Sequence, residues 1–227
     1  MPHRLGGDII TVLVGPEATA TRFFVHANLV SQHSEFFQAC LKKGWKEAEE
    51  RIVRLPDLPW KSATAFEDFH SFLYTGKVYT AMEGEEKFPG GDKEWRRLMK
   101  AWTLGDVLLS LSFKDAVLDA ILHKMFVKDA YPTRMFSQAY LNSSNGAAIR
   151  RLMVDIAVYR WDEDDMSQFV SEDRRAGVFP FFQSVSVALL KWKRQPEAEK
   201  KAEDPTKLLG TCLYHEHGDK PCYKTMF

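Results

Sequence analysis

FFVHANLVSQHSEFFQACLKKGWKEAEERIVRLPD, residues 23–57, and FEDFHSFLYTG, residues 66–76, decide the fold of this chain. Arg22 to Val25 reads as a strand, and a short helix follows over Ala27 to Ser31. Ser34 is placed to cap a helix over Glu35 to Lys43, in which Phe36, Phe37, Cys40 and Leu41 form one apolar stripe. Gly44 stands just past the last turn, where a left-handed residue closes a helix. Ile52 to Leu55 has strand composition, and Pro56-Asp57-Leu58-Pro59 stops it. From Ser62 the apolar period becomes helical: Phe66, Phe69 and Leu73 fall at i, i+3 and i+7, Phe72 widens the stripe, and Gly76 ends it. These residues are packing and punctuation; none is placed to move a proton or hold a metal.

On the N-terminal side, Asp8 to Val14 (DIITVLV) is a β-branched strand, joined to the next through Gly15-Pro16-Glu17-Ala18. After Gly76 the pattern predicts a short fourth strand over Val78 to Thr80 and an exposed acidic loop over Glu83 to Asp92. A helix over Glu94 to Leu109 carries Trp95, Leu98, Met99, Trp102 and Leu109 on its apolar side. Ser112, with Asp115 three residues on, is read as the cap of the next helix, whose buried face is Phe113, Val117, Ala120, Ile121 and Met125. Beyond Tyr131-Pro132 only helices are predicted, over Thr133 to Leu141, Ala147 to Trp161 and Val178 to Lys193. Phe182, Val185, Leu189 and Trp192 make the apolar stripe of the last. Asp162 to Asp165 and Ser171 to Gly177 read as connecting loops, and the charged, proline-punctuated run Gln195 to Lys207 as mobile.

Of the 227 residues, 45% are hydrophobic and 13% aromatic, as in a folded protein. Basic and acidic residues both number 31, so no net charge draws the chain to nucleic acid or an anionic membrane. No apolar run approaches the roughly 20 residues that span a bilayer. MPHRLGGD lacks the apolar core of a secretory signal. Cys40, Cys212 and Cys222 are too few and too scattered for a disulfide framework, so the cytoplasm or nucleus is expected.

Strand, strand, helix pair, strand, helix and helical hairpin, in that order, resemble the BTB/POZ fold over roughly Gly7 to Lys128. Asp8-Ile9-Ile10 is similar to that family's opening strand. Phe24-Val25-His26 with Leu29-Val30 resembles its Phe-x-Val/Ala-His-x-x-Leu signature, and Ser34-Glu35-Phe36-Phe37 its Ser-x-Tyr/Phe-Phe element. Phe69-x-x-Phe72-Leu73-Tyr74-Thr75-Gly76 is similar to its helix end. The residues marking the fold are thus Asp8, Phe24, His26, Ser34, Phe37, Tyr74 and Gly76. Gly44-Trp45-Lys46-Glu47 leading to Val53-x-Leu55-Pro56, Leu152-x-x-Asp155 and the His/Cys-bearing tail resemble the short, single-BTB proteins of filamentous fungi.

The resemblance implies an α+β chain with a BTB/POZ domain over 1–128 and its small mixed sheet; the residues beyond it read as an all-α extension over 129–194 and a charged, partly mobile tail over 195–227. It also implies a non-catalytic protein–protein interaction module. Members of the family dimerise, recruit corepressors, or adapt substrates to cullin-type ubiquitin ligases. The short lead before Asp8 argues against the swapped homodimer, and Ala27, where corepressor-binding members carry a basic residue, argues against their charged pocket. A cullin scaffold is the partner that stays open, although Ala81-Met82-Glu83 matches the hydrophobic-x-Glu contact of adaptors poorly and no substrate-reading β-domain follows.

His26, at a strand-to-helix junction, is read as a satisfied histidine that bonds backbone groups there. Cys212-x-x-His215-x-His217-x-x-x-x-Cys222 has the composition of a zinc site. Two histidines one residue apart are not a common finger spacing, so the tail is expected to hold no metal. Instead it folds back on the helical region through Leu208, Leu209, Leu213, Tyr223 and Phe227. Cys40 is expected as a buried small hydrophobe, Lys191-Trp192-Lys193-Arg194 as a solvated helix end, and Glu83, Glu85 and Glu86 as solvated carboxylates. No cofactor motif such as G-x-G-x-x-G, and no H-E-x-x-H, occurs. A transcription-related regulator or a zinc-binding scaffold is the second class of function, and an enzyme the third.

Overall fold

The structure, a computed structural model, describes residues 7–56, 63–79, 93–132, 135–172, 177–196 and 204–227, with the side chains of 168–172 excepted. It has a three-stranded sheet and ten α-helices among the described residues. β1 (Ile9–Val14) pairs antiparallel with β2 (Thr21–His26) and parallel with β3 (Ile52–Leu55), giving the order β2-β1-β3. Ile10, Val12 and Val14 of β1 are buried, as are Val25 of β2 and Val53 and Leu55 of β3. Strict alternation turns Ile9, Thr11 and Leu13 to the other face of the sheet with Phe24.

Between the strands run α1 (Ala27–His33), α2 (Glu35–Cys40) and α3 (Lys46–Glu50), and after them α4 (Ala63–Thr75). α5 (Lys93–Val107) and α6 (Leu111–Lys128) follow, then α7 (Phe136–Leu141), α8 (Ala148–Arg160), α9 (Glu163–Glu172) and α10 (Val178–Lys193). The chain divides into two compact units that do not follow chain order: residues 1–84, 100–117 and 217–227 form one, residues 85–99 and 118–216 the other.

The first unit closes around aromatic rings. Phe37, Phe66, Phe69, Phe72 and Phe113 are fully buried, with Phe69 and Phe113 centred 5.1 Å apart and Phe72 and Phe113 5.3 Å apart. Truncating one such ring to alanine costs about 3–5 kcal/mol, because the rigid neighbours cannot collapse into the hole. Lys114 is buried here as well. Its ammonium ion is 2.7 Å from Asp106 and lies over the Trp102 ring at 4.5 Å, which offsets its lost hydration. The second unit centres on Phe136, Phe181, Ile149, Leu152 and Ile156, with the Phe136 and Phe181 rings 4.8 Å apart.

The structure corrects several expectations. Lys77 to Tyr79 form no strand, and Thr80 lies outside the described residues. The α2 helix ends at Cys40 rather than Lys43. Ser112 lies inside α6 and its hydroxyl meets Nδ1 of His33 at 3.1 Å, so it is not a cap. Leu109 is exposed at a left-handed φ of 50°, beyond the end of α5. In α10 the buried residues are Phe181 and Val185, while Leu189 and Trp192 face out. Asp162 to Asp165 is not a loop. The Asp165 N–H donates to Oδ1 of Asp162 at 2.9 Å and the Asp162 N–H reaches Oδ2 of Asp165 at 3.4 Å, a reciprocal capping box that starts α9.

Candidate functional site

The fold-marking residues lie together in the first unit, and all but Phe24 have their side chains or backbone held by a definite contact. Ser34, extended at φ −144°, accepts the Phe37 N–H at 3.2 Å and donates its hydroxyl to the Leu108 carbonyl at 2.6 Å. It is the N-cap of α2 and also ties that helix to the chain after α5. Phe37, one turn in, is fully buried. Asp8 forms a 2.9 Å ion pair with Arg51, which leaves α3 in the left-handed region at φ 56°. His26 ends β2, but its imidazole does not bond the helix N-terminus as expected. Its Nδ1 lies 2.9 Å from the Tyr74 hydroxyl instead, which also accepts the His26 N–H at 3.3 Å. Gly76 closes α4 at φ 68°, and the Phe227 ring covers the place where a Cβ would stand.

Phe24 behaves otherwise. Its side chain is 58% exposed, and Ile9 on the same face of the sheet is 52% exposed. Trp45 and Tyr79 are large exposed side chains of the same unit.

The C-terminal stretch also differs from its expected form. Leu213 is exposed and the contacts are aromatic: the buried Tyr223 packs on Phe72 with ring centroids 6.0 Å apart, and Phe227, itself partly exposed, stacks on His33 at 5.1 Å. Both belong to the first unit, not to the helical region. Within the second unit, the Tyr214 hydroxyl donates to Asp155 at 2.8 Å, and Glu216 accepts the Ala148 N–H at 2.6 Å. Burial raises the Asp155 pKa above the usual carboxylate value, and the Tyr214 bond draws it part of the way back.

The same stretch draws Cys212, His215, His217 and Cys222 together: one ligand atom from each lies within 4.8 Å of the others. None of the cysteines is in a disulfide. His215 is buried, with Nε2 3.2 Å from Oδ1 of Asp119, and Nδ1 of His217 is 2.8 Å from the Gly218 carbonyl.

Cys40 is only half-buried; burial and then the neighbouring Glu47 carboxylate push its thiol pKa up, which disfavours the thiolate. Lys191, Lys193 and Arg194 are exposed around the end of α10. Glu83, Glu85, Glu86 and the Ala81-Met82-Glu83 segment lie outside the described residues. No helix among the described residues is long and apolar enough to cross a membrane.

No curated protein matches the chain. The model of the BTB/POZ domain family matches residues 7–88, which hold β1 to β3, α1 to α4 and every fold-marking residue. The chain therefore carries a BTB/POZ domain at residues 7–88, in a mixed three-stranded sheet with its helices.

Proposed function

We propose that this chain is a non-catalytic adaptor whose BTB/POZ domain docks another protein, and that a cullin scaffold of a ubiquitin ligase is that partner. The observation that carries the reading is the domain itself, since BTB/POZ domains generally mediate protein–protein interaction. Its surface is suited to the task. Phe24, Ile9 and Trp45 are each more than half exposed on the BTB/POZ unit, while its interior is filled by its own aromatic rings. An aromatic anchor on a rigid strand loses little conformational entropy when a partner covers it.

The cytoplasm or nucleus suits a chain with three cysteines and no disulfide among them. Gly44-Trp45-Lys46-Glu47, Leu152-x-x-Asp155 and the His/Cys-bearing tail support placing the chain with the short single-BTB proteins of filamentous fungi.

Titration of the purified full chain with the N-terminal region of a cullin tests the finer reading. Saturable one-to-one binding is the result expected. No binding, with another protein partner recovered from cells, ends the cullin assignment and leaves the interaction module. Substrate turnover abolished by changing a single side chain would overturn both.

A further inference from the structure

We infer that the stretch Cys212–Cys222 is a structural zinc site, with Cys212, His215, His217 and Cys222 as its four ligands. Two thiolates and two imidazoles are the donor set of a closed tetrahedral zinc centre. With Zn–S near 2.3 Å and Zn–N near 2.0–2.1 Å, the edges of such a tetrahedron are roughly 3.3–3.8 Å. The four ligand atoms already lie within 4.8 Å of one another, so closure on the order of 1 Å, a small side-chain rotation, completes it.

The spacing that argues against a finger is resolved by the turns of this one stretch. The His215 N–H donates to the Cys212 carbonyl at 3.0 Å, so the first two ligands sit at the ends of one tight turn. The Lys220 N–H donates to the His217 carbonyl at 3.0 Å, and Gly218 in that turn takes φ 57°, which returns the chain toward Cys222. Glu216, between the histidines, is engaged with the Ala148 N–H. With that residue committed elsewhere, its two neighbours can share a side. This backbone thus brings two histidines one residue apart to one side of the stretch.

Each imidazole also has the outer partner that metal-bound histidines carry. Asp119 lies 3.2 Å from Nε2 of His215, and the Gly218 carbonyl 2.8 Å from Nδ1 of His217. The Nδ1–H of His217 directed to the Gly218 carbonyl makes Nε2 the ligand atom of that ring, while the Asp119 carboxylate stands beside the His215 ring as its charge partner. Zinc replaces the two thiol protons, which leave to solvent, and the dication with two thiolates is locally neutral. Cys212 is exposed and Cys222 half-buried, so the ion enters from water. Four protein ligands leave no open position for a substrate, which makes the site structural rather than catalytic.

The test uses the full chain, purified under reducing conditions without a histidine tag. Native mass spectrometry and elemental analysis are expected to find one zinc per chain. Replacing it with Co2+ should give the visible absorption of a tetrahedral centre together with thiolate-to-metal charge transfer. Cys212→Ser and Cys222→Ser should each abolish the charge-transfer band or weaken it, while Cys40→Ser leaves metal content and spectrum unchanged. Asp119→Asn should lower zinc affinity about 10–100-fold with the cobalt spectrum retained, the mark of a positioning residue. Should a cysteine variant fail to fold, the metal content and cobalt spectrum of the unmodified chain still decide. Zinc-free protein that gives no tetrahedral cobalt spectrum overturns the proposal. So does a Cys212–Cys222 disulfide that persists in reductant, or full zinc retention by both cysteine variants.

Discussion

The hydroxyl of Tyr74 stands 2.9 Å from Nδ1 of His26 and accepts the backbone N–H of the same residue at 3.3 Å, joining the end of β2 to the last turn of α4. With its lone pair taking the N–H, the hydroxyl proton is directed at Nδ1, which sets the proton of a neutral imidazole on Nε2. The pair is partly exposed, so its net worth is about 0.5–1.5 kcal/mol. Tyr74→Phe and His26→Ala should each destabilise the chain by that order in urea. The double variant should lose less than the sum. Additive losses would mean that the two side chains do not act on each other.

Gly76 shows how the end of the chain closes on the BTB/POZ domain. A Cβ there would meet the Phe227 ring at 2.6 Å, and the residue takes φ 68°, where an L side chain costs about 1–2 kcal/mol. Gly76→Ala should therefore cost more than that backbone penalty in the natural chain. In a Phe227→Ala background it should cost only the backbone part. Equal costs in the two backgrounds would show that Phe227 does not press on this position.

Tyr131 gives a prediction for alkaline pH. Burial first, then the 2.7 Å hydrogen bond to Asp165 and the charges of Asp165 and Asp162, push its phenol up to about 12. In the unfolded chain it titrates near the ordinary value of about 10. The stability due to the protonated phenol is therefore complete below pH 10 or so and is lost as pH rises toward about 12. Tyr131→Phe should cost about 1 kcal/mol at neutral pH. The gap between the natural chain and the variant should narrow through the alkaline window, measured by urea unfolding at several pH values. A gap that stays constant above pH 10 would contradict the assignment.

Much of the BTB/POZ core was legible because its signals are local. The β-branched composition of Ile9 to Val14, the Ser34 cap and the period of Phe66, Phe69 and Leu73 each act within a few residues. The α3 helix was missed because none of Lys46 to Glu50 is buried, so it has no apolar stripe to detect. The acidic start of α9 was read by composition as a loop, although Asp162 and Asp165 at cap and third position were a visible capping signal. The stacking of Phe227 on His33 joins residues nearly the whole chain apart, and no local pattern encodes it. In the tail the four metal-binding residue types were visible. Their convergence depends on the two hydrogen-bonded turns, which spacing alone does not reveal.

The central claim, that this chain works by docking a protein on its BTB/POZ domain, is tested most directly by cross-linking in cells followed by mass spectrometry of the tagged full chain. Lys42, Lys43, Lys46 and Lys77 are exposed on that domain and supply the reactive amines. Reproducible cross-links from these lysines to one protein partner, a cullin scaffold if the adaptor proposal holds, are the expected result. Reproducible recovery of no partner, or cross-links confined to residues outside 7–88, would contradict the claim.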